Sequence, residues 1–133
     1  GRLRQAAAAL DERLKADPFQ AVCHGDAKAT NILFHAGAVA FCDFQWIGKA
    51  PVSKDVAYFL MSSVEALTVL DEQSLVEFYH EELCEQLRGR GVDIMPEFSD
   101  IWDSYLLAVC DLARWMAGWR WWGQVSRIRS HAG

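Results

Sequence analysis

His24-Gly25-Asp26-Ala27-Lys28-Ala29-Thr30-Asn31, followed after a short apolar segment by Asp43-Phe44-Gln45, is the stretch on which the reading of this chain turns. It gathers a carboxylate, a compact cation and two further oxygen donors. A hydroxyl that attacks a γ-phosphate needs a carboxylate within hydrogen-bond reach to orient it and take its proton, and Asp26 is the candidate. Asn31, five residues on, offers a neutral oxygen to magnesium, and Asp43 adds a carboxylate. Two protein oxygens plus phosphate oxygens are how Mg2+ is usually held, because the ion keeps several waters and rarely occupies an all-protein cage. Lys28 suits charge on the transferred phosphoryl oxygens as a point cation, or is simply a solvated charge.

Around this stretch the residue pattern changes character. Leu3, Ala7, Leu10 and Leu14 recur at helical spacing, and Asp17-Pro18 ends that helix. Gln20 to Cys23 reads as a brief extended segment. Asn31 to His35 and Ala38 to Phe44 read as a hairpin around Ala36-Gly37, and Ile47 to Ser53, with Gly48 and Pro51, as a loop. From Lys54 the chain turns helical, with Ser53 as cap and Val56, Phe59, Leu60, Val64 and Leu67 on one face. Asp71 to Arg90 forms a further helix carrying Leu75, Phe78, Tyr79, Leu83 and Leu87, closed by Gly89 and Gly91. Pro96 opens the last helical region, which runs to about Trp122. Helix, small β element, then helices alone make an α+β fold that is mainly helical.

Composition bounds the function. At 52% hydrophobic residues the 133-residue chain has enough apolar matter for one folded domain. Thirteen basic against eighteen acidic residues give a charge of −5, which disfavours a broad grip on nucleic acid and suits a neutral or cationic small molecule. No apolar run reaches the roughly 18 residues that mark a bilayer span, so the expected compartment is the cytoplasm. Cys23, Cys42, Cys84 and Cys110 show no zinc spacing and are expected as reduced core residues. A metal-dependent hydrolase built on His24 and Asp26 lacks a second histidine cluster.

The HGDAKATN loop resembles the catalytic loop of the protein-kinase-like fold in its small-molecule branch, the aminoglycoside phosphotransferase and choline kinase superfamily, where HGDxxxxN is followed by a metal-binding Asp. DFQ at Asp43 to Gln45, DVAYFL at Asp55 to Leu60 and FYHEELCEQLRGRGVD at Phe78 to Asp93 are most similar to the ecdysteroid kinase-like, or CHK kinase-like, members, over nearly the whole chain. The resemblance implies Asp26 as catalytic base, Asn31 and Asp43 as magnesium ligands in contact with the ATP cofactor, and His24 as a prop for the loop. Lys28 falls where protein kinases place a lysine, and Asp55 would accept hydrogen bonds from the loop backbone. The implied activity is ATP- and Mg2+-dependent phosphorylation of a small-molecule alcohol. The alternative is a non-catalytic, pseudokinase-like interaction module.

The residues at hand contain no GxGxxG loop and no strand lysine with a helix glutamate. Residues 1–133 are therefore expected to be the C-terminal lobe, with its small catalytic hairpin, of a longer protein whose N-terminal ATP-binding lobe acts in cis, or else a degenerate remnant of such a protein. Half a nucleotide site should have little activity alone. Trp115, Trp119 and Trp122 recur at helical spacing, either as an aromatic wall for a substrate or as ordinary core, with Asp103 and Asp111 nearby as partners for a cation.

Overall fold

The computed structural model describes residues 2–64 and 69–130, with side chains described over 5–64 and 71–118. Helix α1 spans Arg2–Lys15, and strand β1, Gln20–Cys23, follows it. A short 3-10 turn, Ala29–Asn31, leads into β2, Ile32–His35, and β3, Ala38–Phe41. Strand β4, Gly48–Pro51, precedes α2, Ser53–Ser63; α3, Val69–Gly89; and α4, Phe98–Ser130. The α+β, mainly helical class is the observed one.

The three later helices make the core. Ala57 and Leu60 of α2, Val76 of α3, and Ile101, Tyr105 and Ala108 of α4 are buried against one another. Val76 and Tyr105 are wholly inaccessible, and Tyr105 keeps its hydroxyl satisfied by donating to Glu72 at 2.6 Å. On α3 the expected face is met in part: Tyr79 and Leu83 pack against the core, whereas Phe78 stays 61% exposed and Val76 and Cys84, outside that expectation, are buried. The helix closes as expected around glycine. Gly91 sits at φ +71°, the Val92 N–H donates to the Leu87 carbonyl and the Gly91 N–H to that of Arg88, which is a Schellman motif. Leu67, placed on the α2 face by its spacing, lies outside the described residues.

Two antiparallel pairs stand beside the helices. In β2–β3 the register Ile32↔Phe41, Phe34↔Val39 joins across Ala36 and Gly37, both at positive φ, as a two-residue primed turn demands. The second pair corrects the loop expected over Ile47 to Ser53. Gly48–Pro51 is a strand, paired with β1 in the register Gln20↔Pro51 to Cys23↔Gly48. Pro51 is tolerated because it closes the strand, and the Val52 N–H resumes the ladder by donating to the Phe19 carbonyl at 3.0 Å.

Ser53 is also not a cap. It is the first helical residue and is buried; its hydroxyl meets that of Ser104 at 2.6 Å, and Ser104 donates to Asp17. This chain of hydroxyls ties the end of α1 and the start of α2 to α4. Helix α4 runs on to Ser130, past the expected end near Trp122, because Gly123 alone costs a helix only about 1 kcal/mol and no proline follows it. Cys23 and Cys84 are buried and Cys42 is half-buried, but Cys110 is exposed, contrary to the expectation of four core cysteines, because it points away from the helix face that packs on α2. No helix among the described residues is long and apolar enough to cross a membrane.

Candidate functional site

The loop after β1 owes its shape to two backbone requirements. Gly25 adopts φ +82°, and a Cβ there would lie 2.3 Å from the Trp46 carbonyl oxygen. Only glycine fits both the dihedral and the approach. Directly beside it, the Asp55 carboxylate, in the first turn of α2, accepts the N–H of His24 at 2.6 Å and that of Gly25 at 2.9 Å. Further along, the Ala29 N–H donates to Ser63 Oγ at 2.8 Å. The loop is thus splinted from both ends of one helix.

His24 is buried and faces inward. The Asp26 N–H donates to its Nδ1 at 3.2 Å, so Nδ1 carries no proton, and Nε2–H donates to the Cys42 carbonyl at 2.9 Å. The ring packs against Phe41 and Phe44, with centroids 5.5 and 4.8 Å away. A neutral imidazole therefore links the loop to the end of β3.

Asp26 is only 7% exposed. Asn31 Nδ2 donates to its Oδ2 at 2.8 Å and to its carbonyl at 3.0 Å, and Lys28 Nζ lies 2.9 Å from the same Oδ2. Burial works to raise the Asp26 pKa, but hydrogen bonds from Lys28, the Tyr58 hydroxyl and Asn31, with the Lys28 charge, outweigh it and hold the carboxyl below its ordinary value. In turn, the Asp26 hydrogen bond is the chief cause that holds Lys28 above the usual lysine value, so both groups are ionised at neutral pH.

Asn31 and Asp43 are brought together by the hairpin. The Cys42 N–H donates to the Asn31 carbonyl at 3.0 Å, which extends the β2–β3 ladder by one rung and sets Asp43 one residue beyond it. Asp43 is exposed at φ +63°, a left-handed conformation that is uncommon outside glycine and concentrated at functional sites. Both donated bonds of the Asn31 amide go to Asp26, which leaves its Oδ1 as the group able to face a cation. One amide oxygen and one carboxylate are hard donors suited to Mg2+. No group of three or more His, Cys, Asp or Glu that could hold a metal occurs among the described residues.

Asp26 and Lys28 open onto a cavity of about 550 Å³, within the usual range for small-molecule sites; Asn31 and Asp43 are not among the residues that line it. Asp26, Lys28 and Tyr58 line one side, and Ala108, Asp111, Leu112 and Trp115 of α4 line the other. Trp115 is 46% exposed, so it belongs to the cavity wall rather than to the core. The side chains of Trp119 and Trp122 lie outside the described residues. Asp111 corrects one expectation: its carboxylate already accepts from Lys54 at 3.1 Å and from Arg114 at 2.6 Å and is not a bare partner for a cationic ligand. Asp103 is exposed and does not line the cavity.

Tyr58 and Ser63 were not singled out by sequence reasoning. The available signal was their place on α2, whose first turn carries Asp55 against the loop.

Residues 2–91 match the model of a family described as the ecdysteroid kinase-like family. The match takes in the loop, the hairpin, Asp43, Asp55 and α3; it stops short of α4, whereas the resemblance was expected to reach the tryptophan-rich end. No curated protein and no solved structure matches the chain.

Proposed function

The chain belongs to the ecdysteroid kinase-like family, and on that premise we propose that it carries the catalytic half of an ATP- and Mg2+-dependent phosphotransferase acting on the hydroxyl of a small molecule. The observation that carries this reading is the ionised Asp26 carboxylate, cross-braced by Lys28 and Asn31 and opening onto the cavity between α2 and α4. Residues 1–133 would form the C-terminal lobe of a protein-kinase-like fold, completed in cis by an N-terminal lobe that covers the nucleotide.

In this reading Asp26 receives the acceptor's hydroxyl and takes its proton. A carboxyl held below its ordinary value is a weak base, so its main contribution is orientation, with proton transfer late; that suits a loose phosphoryl transition state. Lys28 presents positive charge next to the oxygen on which the acceptor is aligned. Asn31 Oδ1 and the Asp43 carboxylate would hold magnesium, and His24 and Asp55 keep the loop in place for them. Magnesium and ATP, when bound, supply the phosphoryl group and neutralise its charge. The α4 wall, with Trp115, would take the body of the acceptor.

The test is ADP release from Mg-ATP across a panel of sterol, choline, sugar and aminoglycoside alcohols, with Asp26→Asn as control. The variant should lose about 10²- to 10⁴-fold in turnover, the scale of a general base, while still binding Mg-ATP. A calorimetric titration showing no Mg-ATP binding by the whole protein would refute the kinase reading and leave the non-catalytic interaction module.

A further inference from the structure

Among the described residues, three lysines and three aspartates line the cavity: Lys28, Lys49 and Lys54 against Asp26, Asp55 and Asp111. The two signs are equal in number but not equally open to a ligand. Both oxygens of Asp55 are taken by the N–H groups of His24 and Gly25. Asp111 is closed by Lys54 on one oxygen and by the Arg114 guanidinium on the other, and its side chain is only 13% exposed. Asp26, 11% exposed, is braced by Lys28 and Asn31. The cations stand the other way. Lys54 keeps 42% of its side chain exposed and gives Asp111 one of its three N–H donors, so Asp111 fixes the ammonium in place without using it up. Lys49, on β4, is exposed, and its ammonium has no partner among the described residues. A ligand in this cavity therefore meets positive charge and N–H donors, although the chain as a whole carries −5. A cationic ligand meets repulsion from Lys49 and Lys54, and apart from Asp26 it finds each lining carboxylate already engaged on both oxygens.

We propose that the ligand of this cavity is an alcohol that also carries an anionic group, a carboxylate or a sulfate ester, held by Lys49 and Lys54 while its hydroxyl faces Asp26. The inference deepens the phosphotransferase reading and rests on it for calling that ligand the acceptor. It reverses the preference for a neutral or cationic molecule that net charge alone suggests. Lysine is a compact point charge, so either anion satisfies it.

Calorimetric binding to the whole protein, without nucleotide, keeps the inference separate from the reading beneath it. The probes are ω-hydroxydecanoate, its methyl ester, ω-hydroxydecyl sulfate and ω-aminodecanol, which share a chain and a hydroxyl and differ in charge. At least one anion should bind about tenfold more tightly than the ester, as expected for a hydrogen bond to a charged group, and the tighter of the two identifies the group. The amino alcohol should bind most weakly, and added salt should narrow the gap because both lysines are partly exposed. Lys49→Gln, which has no ion pair to lose, should reduce the ratio of anion to ester affinity, and Lys49→Gln with Lys54→Gln should abolish it. Equal affinities for the four probes, tightest binding of the amino alcohol, or a ratio unchanged in the double variant overturns the inference. ADP release from Mg-ATP with the same probes then tests the other reading: an anion preference without turnover refutes the kinase and leaves the ligand class standing, whereas turnover with the ester or amino alcohol at least equal to that with the anions refutes the ligand class and leaves the kinase.

Discussion

The Asp55 carboxylate accepts the His24 N–H at 2.6 Å, so the first turn of α2 holds a loop that lies thirty residues earlier in the chain. Its other oxygen takes the Gly25 N–H. Placed at a helix N-terminus, this carboxylate is itself stabilised by the helix dipole, which makes it a firm anchor. Asp55→Ala leaves both N–H groups without their charged acceptor and should destabilise the protein by about 2–4 kcal/mol. Urea unfolding measures the loss, and amide hydrogen exchange should quicken at residues 24–29 before the rest of the fold. Unchanged exchange there would show that the loop is held by other contacts.

Gly25→Ala should cost more than the usual glycine replacement. The new methyl group would enter at φ +82° and within 2.3 Å of a backbone oxygen, where no rotamer change relieves it. Thermal melts should show a drop of about 2 kcal/mol or more. Trp46→Ala in the same chain should not rescue it, because the carbonyl that obstructs the methyl group remains.

Asp43→Gly should separate stability from function. The left-handed backbone at Asp43 costs about 1–3 kcal/mol for a residue with a side chain, and glycine relieves it. The melting temperature is expected to rise, or to stay level, while affinity for Mg-nucleotide falls. A fall in both would mean that the Asp43 side chain supports the fold as well.

Acid should act through two carboxyls. At Asp26 burial is opposed and outweighed by bonds from Lys28, Tyr58 and Asn31; at Asp111 burial is outweighed by bonds from Arg114 and Lys54, and both carboxyls sit below their ordinary value. A depressed folded-state pKa means stability that is fully present above the unfolded value, about 4, and lost as pH falls through the folded one. Circular dichroism against pH should therefore show a flat region above about pH 4 and a decline below it. Lys54→Met should move the onset of that decline upward, since Asp111 loses one of the two cations that keep it charged.

Much of the site was legible because its members are neighbours in the chain. The spacing from Asp26 to Asn31 is confined to a single loop, and the hairpin that returns Asp43 announces itself through Ala36-Gly37 between two apolar runs. Helix α3 and its glycine stop were legible for the same reason, since period and cap are written by residues three to five apart. Its inward face was legible only in part, because tertiary packing settles which residues turn inward: Tyr79 and Leu83 pack on the core as expected, but so does Val76, while Phe78 stays exposed.

The amino-acid order alone determined that a carboxylate, a cation and two oxygen donors would stand on one loop and hairpin, because turn chemistry and short-range pairing act over a few residues. Only the tertiary structure decided what those groups touch. It paired β1 with a Gly- and Pro-bearing segment 25 to 31 residues away, gave Lys28 to Asp26, filled Asp111 with Lys54 and Arg114, and set Tyr58 in the wall of the cavity that Asp26 lines. Such contacts are fixed by how α2 and α4 pack on a shared core, and packing leaves no local periodicity for a sequence to display.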